Sequence, residues 1–159
     1  MCINRYYYLL FISILRNYKQ GFYTPKHPEK YLGNPNGIVY RSSWEFKMNT
    51  WLDNNKQVLS WASEEFAIPY ISPKDNRTHR YYVDYKATIV NNSGVVTTYL
   101  IEVKPEGQTV PPKMRKKNKS YLNEVMTYGV NSAKWRAAEQ YALDRNMKFI
   151  LITERDLNL

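Results

Sequence analysis

Two strand-like stretches joined by a turn sequence constrain the fold more than any other feature of the chain. Residues 80–89, RYYVDYKATI, and residues 97–103, TTYLIEV, are rich in β-branched and aromatic residues. The NNSGV sequence between them favours a hairpin turn. The pattern predicts an antiparallel pair whose turn is centred on Ser93. In that register Asp84 faces Glu102 directly across the pair.

The remaining segments predict helices on a sheet. Ser42 and Glu45 have the spacing of a capping box, which predicts a helix up to about Asn54. Short extended pieces over residues 58–71 precede a turn at 72–76, and a long helix follows a basic loop at 105–119. A buried strand at 148–153 comes next, with Thr153 placed to cap a last short helix. The order predicts a mixed α/β fold, a sheet flanked by helices in one domain.

Apolar residues at helical spacing predict which helix faces are buried. The first helix should bury one apolar stripe. The long helix should bury a second apolar stripe, which consists of two stretches. The stripes are Trp44, Met48, Trp51 and Leu52 in the first helix, and Leu122, Val125, Met126, Gly129, Trp135, Ala138, Tyr141 and Ala142 in the long one.

Composition restricts the class of protein. The 159 residues suit a single domain, which we place at residues 19–159, after an apolar extension of unassigned role at 1–18. The apolar run at 6–15 is about half the ~20 residues that a membrane-spanning helix needs, so we predict no such helix. With one cysteine, an internal disulfide and a cysteine-rich zinc site are excluded. The net charge of +9 favours a polyanionic partner such as nucleic acid.

The facing carboxylates of Asp84 and Glu102 predict a chemical site. Like charges with Cβ atoms ~5 Å apart on paired strands destabilise a sheet, so either one carboxyl is protonated or a cation bridges them. Oxygen ligands without histidine or thiolate suit Mg²⁺, with Mn²⁺ as a substitute. Lys104 shares the face of Glu102, where an ammonium can orient or help deprotonate an attacking water, or stabilise charge on a phosphate. These are the requirements of metal-assisted phosphodiester hydrolysis.

Structural interpretations of the same residues stay open at this point. Glu45 is satisfied as a capping residue by the helix terminus alone. Asp84 has a neutralising partner in Lys86, which shares its face two residues on. Lys104 and Glu102 are equally a simple ion pair.

Basic residues provide candidate DNA contacts. The run KMRKKNK at 113–119 is either a solvated loop or a phosphate-binding one, which would add a salt-dependent term to affinity. Lys134 and Arg136 lie on the long helix, where a plain solvent-facing role is the alternative. Our candidate DNA-binding residues are Arg41, Arg80, Lys113, Arg115, Lys116, Lys117, Lys119 and Lys134.

Asp84, followed by Glu102-Val103-Lys104 at the end of the next strand and preceded by a helical Glu45, resembles the PD-(D/E)XK nuclease superfamily. This superfamily includes many restriction enzymes, Holliday-junction resolvases and the TnsA transposition endonuclease. The stretches YTPKHPEKYLG, YRSSWE, PYISP, HRYYVD, EVKP and YGVNSAKWRAA are more similar still to the head completion nucleases of T-even-like tailed phages. The sequence departs from the superfamily pattern at Val83, where a proline is common.

The resemblance implies a restriction-endonuclease-like fold and a Mg²⁺-dependent DNA nuclease active in phage head completion and head–tail joining. It implies catalytic roles for Glu45, Asp84, Glu102 and Lys104. Asp84 and Glu102 would bind the metal, with Glu45 binding it directly or through water. The implied partners are double-stranded DNA and phage head or portal proteins, with no membrane and no nucleotide cofactor. The implied location is the host cytoplasm during assembly, or the head–tail connector of the virion.

Two other functions remain as hypotheses. A structural connector would keep the fold and the basic surface to bind DNA and the portal, without needing hydrolysis. A resolvase or restriction enzyme would instead prefer a branched or specific DNA sequence.

Overall fold

A four-stranded sheet forms the centre of the molecule in the computed structural model, which describes residues 20–156. The strand order is β3-β6-β7-β8, and two smaller two-stranded sheets, β1-β2 and β4-β5, lie beside it. The elements are β1 (Gly21–Phe22), β2 (Val39–Tyr40), α1 (Ser43–Asn54), β3 (Val58–Ser63), β4 (Ala67–Ser72), β5 (Arg77–Tyr82), β6 (Tyr85–Val90), β7 (Val96–Val103), α2 (Glu106–Thr109), α3 (Lys119–Leu143) and β8 (Lys148–Ile152). The predicted mixed sheet flanked by helices is confirmed.

The hairpin of β6 and β7 is antiparallel, and its pairs run from Tyr85–Ile101 to Val90–Val96. This is the register expected for a turn centred on Ser93, so that prediction is confirmed. β8 pairs with β7 in the parallel direction. A parallel neighbour needs a long crossover, and α3 provides it.

The prediction of one strand over residues 80–89 is wrong. β5 ends at Tyr82 and pairs with β4, whereas β6 starts at Tyr85 and pairs with β3 and β7. The chain therefore changes sheets at Val83 and Asp84. As a result Asp84 lies one residue outside the ladder instead of in a regular pair with Glu102.

Helix α1 starts as predicted, because the Ser42 side chain accepts a hydrogen bond from the Glu45 backbone. Its buried face is rotated from the predicted stripe. Met48 and Leu52 are buried as expected, but Trp51 is 46 % exposed, so its predicted burial is wrong. The polar residues Asn49 and Asp53 complete the buried face instead.

Buried Asp53 explains that rotation. Its carboxylate accepts hydrogen bonds from the Tyr23 hydroxyl and from the backbone N–H groups of Lys26 and His27, at 2.7–2.9 Å. The Lys30 ammonium donates to the backbone carbonyl of the same Asp53. Asp53 thus fixes the proline-rich arm that precedes α1 against the end of this helix.

The two faces of the central sheet pack against different partners. Ile101 and Val103 of β7 join a core with α1 and the arm. Leu100, on the opposite face, joins a core with α3 and the β4-β5 hairpin. Glu102, two residues after Leu100, therefore points to the α3 side of the sheet.

Within the described residues, α3 packs against the sheet through its second half only. Trp135, Ala138 and Ala142 are buried, as predicted. The predicted burial of the first half is wrong, because the residues of α3 that pack against the core begin at Val130. The exposed apolar residues of that half are Leu122, Val125 and Met126.

Two further predictions concern the ends of the chain. After β8, Thr153 donates from its hydroxyl to Asp156 within a turn, and the predicted last helix extends into residues outside those described. The apolar run at 6–15 also lies outside the described residues. No helix within residues 20–156 is long and apolar enough to cross a membrane.

Candidate active site

Asp84, Glu102 and Lys104 come together at one end of the central sheet. Glu102 is the next-to-last residue of β7, and Lys104 follows that strand. The Lys104 backbone donates to Ile152 at 2.9 Å, which continues the pairing with β8. Because β6 and β7 are antiparallel, Asp84, just before β6, lies beside the end of β7.

Glu102 is buried, with 3 % of its surface exposed, and both carboxylate oxygens have partners. The Tyr81 hydroxyl donates to one oxygen at 2.6 Å, and the Lys104 ammonium lies 2.8 Å from the other. Burial, together with the Glu102 charge, raises the pKa of Tyr81, so this hydroxyl remains a donor. The predicted Glu102–Lys104 contact is therefore present, with Tyr81 as an additional partner.

Asp84 experiences the like-charge effect that the sequence predicts. Its carboxylate accepts a hydrogen bond from the Val103 backbone at 2.8 Å. Burial, and then the charge of Glu102, raise the pKa of Asp84 to about 7, although Lys104 and the Val103 N–H oppose this shift. Lys86 does not neutralise Asp84, because its ammonium lies over the Phe66 ring. The two carboxylates thus share an incompletely compensated negative charge.

Lys104 acts as a cation in this cluster. Burial lowers the pKa of Lys104, but the carboxylates of Glu102 and Asp84 outweigh it, and the net shift is upward. The ammonium is therefore protonated at neutral pH. It balances charge at the site, and it cannot accept a proton there as a base.

Glu45 lies near the cluster but is engaged at the start of α1. One carboxylate oxygen accepts from the Ser42 hydroxyl at 3.0 Å, and the other accepts from the Arg41 backbone at 2.7 Å. Its charge contributes to raising the pKa of both Asp84 and Lys104. Among residues 20–156, no three His, Cys, Asp or Glu side chains are grouped to hold a metal. The role of Glu45 as a metal ligand therefore stays a prediction.

Glu64 was not singled out from the sequence. It follows β3 in a left-handed backbone conformation with φ 53°, and its N–H donates to the Asp84 carbonyl at 3.1 Å. Its carboxylate forms an ion pair with Arg41 and raises the pKa of that guanidinium. Glu64 thus holds Arg41 near Asp84. The sequence signal for Glu64 is weak, because it consists only of two consecutive glutamates after a strand.

Two of the candidate DNA-binding residues lie at the site. Arg41 is one, and Lys134 is the other, with its ammonium 5.5 Å from the centre of the Tyr81 ring and 5.8 Å from that of Tyr70. Lys134 is thereby close to the hydroxyl that binds Glu102.

The other candidates lie elsewhere. Arg80 is exposed on β5, where alternation points it away from Tyr81. Arg115 pairs with Glu124, and Lys119 begins α3. The remaining lysines of the run at 113–119 are exposed, namely Lys113, Lys116 and Lys117.

The donor set of this cluster fits a hard divalent cation. Asp84 and Glu102 provide carboxylate oxygens, the ligands that Mg²⁺ prefers. His79 is engaged with Asp75 on an exposed turn, so it is not part of the cluster. A bound cation would also relieve the repulsion that raises the pKa of Asp84.

Comparison with known proteins identifies relatives of this chain. The family model for the TnsA-like endonuclease N-terminal domain matches residues 55–154, which include β3 to β8. The head completion nuclease of Enterobacteria phage T4 is 37 % identical over 142 residues, covering 86 % of this chain and 92 % of that protein.

Proposed function

Because the chain belongs to the family of TnsA-like endonucleases, we propose that it is a Mg²⁺-dependent DNA nuclease that acts in phage head completion. One observation carries the proposed chemistry. The buried carboxylate of Glu102 and the partly buried carboxylate of Asp84 meet at one end of the sheet, with the Lys104 ammonium 2.8 Å from Glu102. The name of the phage T4 relative supports the biological context.

Asp84 and Glu102 are the residues that would hold the metal, with Glu45 as a further candidate. Bound Mg²⁺ would supply Lewis-acid stabilisation of a phosphoryl oxygen and a lowered pKa for a water. Glu102 is oriented by two partners, Tyr81 and Lys104, so its carboxylate is already positioned in this structure. Such fixed orientation limits the reorganisation that the reaction requires.

Lys104 contributes a permanent positive charge. Because its pKa is raised, it can donate hydrogen bonds to a phosphate oxygen or orient a water, while deprotonation of that water falls to another group. Arg41, near Asp84, and Lys134, beside Tyr81, would bind phosphates of the substrate. Their contribution would be independent of sequence and would weaken as salt concentration rises.

The partners and location are part of the same proposal. The substrate would be double-stranded DNA, and head or portal proteins would be the assembly partners. The protein would act in the host cytoplasm during virion assembly, at the step in which finished heads are joined to tails.

Incubation of purified protein with supercoiled and linear DNA in Mg²⁺ tests the proposal. We expect cleavage by the wild type and by a Glu139→Ala control, whose carboxylate is exposed on α3, and none by Asp84→Ala or Glu102→Ala. Nicking of the circle would identify endonuclease activity. Intact DNA in every reaction, or equal cleavage by all variants, would contradict the nuclease assignment.

A connector protein is the second candidate, and the exposed apolar residues Leu122, Val125 and Met126 on α3 favour it. Such a face is suited to protein contacts. Complementation of a phage lacking the natural gene separates the two functions. If Asp84→Ala still gives infectious particles, the connector is supported and nuclease activity is not required for assembly.

A further inference from the structure

A cleft of about 670 Å³ lies between α2 and the first half of α3. One wall comes from the segment that directly follows Lys104, including Gly107 and Gln108. The other wall comes from α3, including Asn123, Thr127 and Asn131. The cleft is therefore joined by a few residues of chain to the candidate active site.

Apolar and polar groups both line this cleft, and its two charged residues are Lys119 and Glu124. The side-chain amides of Gln108, Asn123 and Asn131 form no hydrogen bond with any other residue of the described part, 20–156. Each amide offers both donors and an acceptor. The one carboxylate in the lining, Glu124, is paired with Arg115. A surface built to bind phosphates would instead present several free cations.

The cleft and Lys134, which lies beside the candidate active site, share the helix α3. Asn123, Thr127, Asn131 and Lys134 recur at intervals of three or four residues, so they lie on one face of the helix. At 1.5 Å per residue, Asn123 to Lys134 spans about 16 Å, roughly five stacked nucleotides at ~3.4 Å each. Lys134, at the end of this row, lies over Tyr81 beside Glu102.

We propose that this cleft binds an unpaired DNA strand, and that the enzyme prefers DNA with a single-stranded segment next to the cleavage point. Neutral amides suit the hydrogen-bonding edges of bases, which are occupied by pairing within a duplex. Tyr128 lines the same cleft and provides an aromatic side chain for stacking. This inference rests on the proposed nuclease function and specifies its substrate.

Fluorescence anisotropy in EDTA measures this preference without cleavage. The probes are a labelled blunt duplex and the same duplex with a single-stranded tail. We expect the tailed DNA to bind about tenfold more tightly, which corresponds to ~1.4 kcal/mol, because unpaired bases can stack on an aromatic side chain. The double variant Asn123→Ala/Asn131→Ala should lose this preference, whereas Gln140→Ala, which removes an exposed amide elsewhere on α3, should keep it.

The salt dependence adds an independent measure. The double variant should lower affinity for the tailed DNA equally at every salt concentration, because neutral amides release no counterions. Equal affinity for the two probes, or an equal loss in Gln140→Ala, overturns the inference. Cleavage of blunt duplex without any tail preference overturns this inference alone, whereas a tail preference without any cleavage overturns only the nuclease function.

Discussion

Asp53 and the Asp84–Glu102 pair show two ways of accommodating carboxylates away from open solvent in one small domain. Asp53 is fully buried, and three N–H or O–H groups from the arm at 23–27 donate to it. The carboxylates of Asp84 and Glu102 repel each other, and Lys104 is the adjacent cation. Neutral donors can satisfy a single buried carboxylate, whereas two adjacent carboxylates need a further cation.

The comparison gives a way to recognise function. A carboxylate surrounded by backbone donors stabilises a local structure, as Asp53 does for the arm. A pair whose repulsion is only partly balanced has the charge needed to bind a metal and is costly to the fold without one. Substitutions at the two sites should therefore affect different properties, stability at Asp53 and activity at Glu102.

The largest expected effect is on activity. Glu102→Gln should lower Mg²⁺-dependent DNA cleavage on the order of a thousandfold, because it removes a charge that the transition state requires. Asp53→Asn should leave the cleavage rate per folded molecule unchanged. Initial rates on linear DNA, corrected for the folded fraction by circular dichroism, measure both. Comparable losses in the two variants would remove the distinction between the sites.

The next effect is on stability. Asp53→Ala should lower the free energy of unfolding by about 3 kcal/mol, because the Tyr23 hydroxyl and two backbone N–H groups lose their acceptor. Urea titration followed by tryptophan fluorescence gives the value, and Glu139→Ala serves as the exposed control. A loss below about 1 kcal/mol would show that water replaces the carboxylate.

A smaller effect depends on pH. Folding raises the pKa of Asp84 from 3.8 to about 7, so the native state binds this proton more tightly than the unfolded state does. The stability that this tighter proton binding gives the native state is fully present below the ordinary pKa of 3.8. It is lost as the pH rises through about 7. The full pKa difference corresponds to about 4 kcal/mol, and we expect about half of it because Asp84 is only partly buried and solvent screens its charge. Asp84→Asn should therefore be more stable than wild type by about 2 kcal/mol at pH 8, with the difference disappearing towards pH 4.

Thermal unfolding in EDTA at several pH values tests that expectation. Asp75→Asn is the control, since its hydrogen bond to His79 lowers the pKa of Asp75 and gives the opposite sign. A constant difference between Asp84→Asn and wild type at all pH values would contradict the raised pKa.

The smallest effect concerns Tyr81. Tyr81→Phe removes the donor to Glu102 and should lower cleavage about tenfold, with a stability loss of about 1 kcal/mol. The Mg²⁺ concentration for half-maximal cleavage should rise, because Glu102 is less well oriented. A matched Tyr82→Phe variant, altered at the exposed neighbour, should match wild type in all three measurements. If both variants behave alike, Tyr81 does not position Glu102.

Much of the fold follows from local patterns in the sequence. The NNSGV turn sets the β6–β7 register, since a hairpin turn fixes which residues face each other. The capping residues Ser42 and Glu45 set the start of α1 for an equally local reason. The proximity of Asp84, Glu102 and Lys104 follows from that register, which is why the site could be predicted from one hairpin.

The errors concern contacts between distant segments. Residues 80–89 read as one strand, but pairing of β5 with β4 pulls the chain out of the central sheet at Asp84. Leu122 and Met126 have helical spacing, yet the first half of α3 extends beyond the packed core. Periodicity shows which residues share a face, and it does not show whether another element covers that face.

By itself, therefore, the sequence determined the hairpin register, the helix start and the three residues of the charge cluster, because turns, caps and alternation act over a few residues. Only the tertiary structure decided that Asp53 is buried by a remote arm, that Tyr81 and Lys134 lie beside Glu102, and that Glu64 holds Arg41 near Asp84. Each of these contacts joins segments far apart in the chain. Their formation depends on how whole elements pack, which no short sequence pattern records.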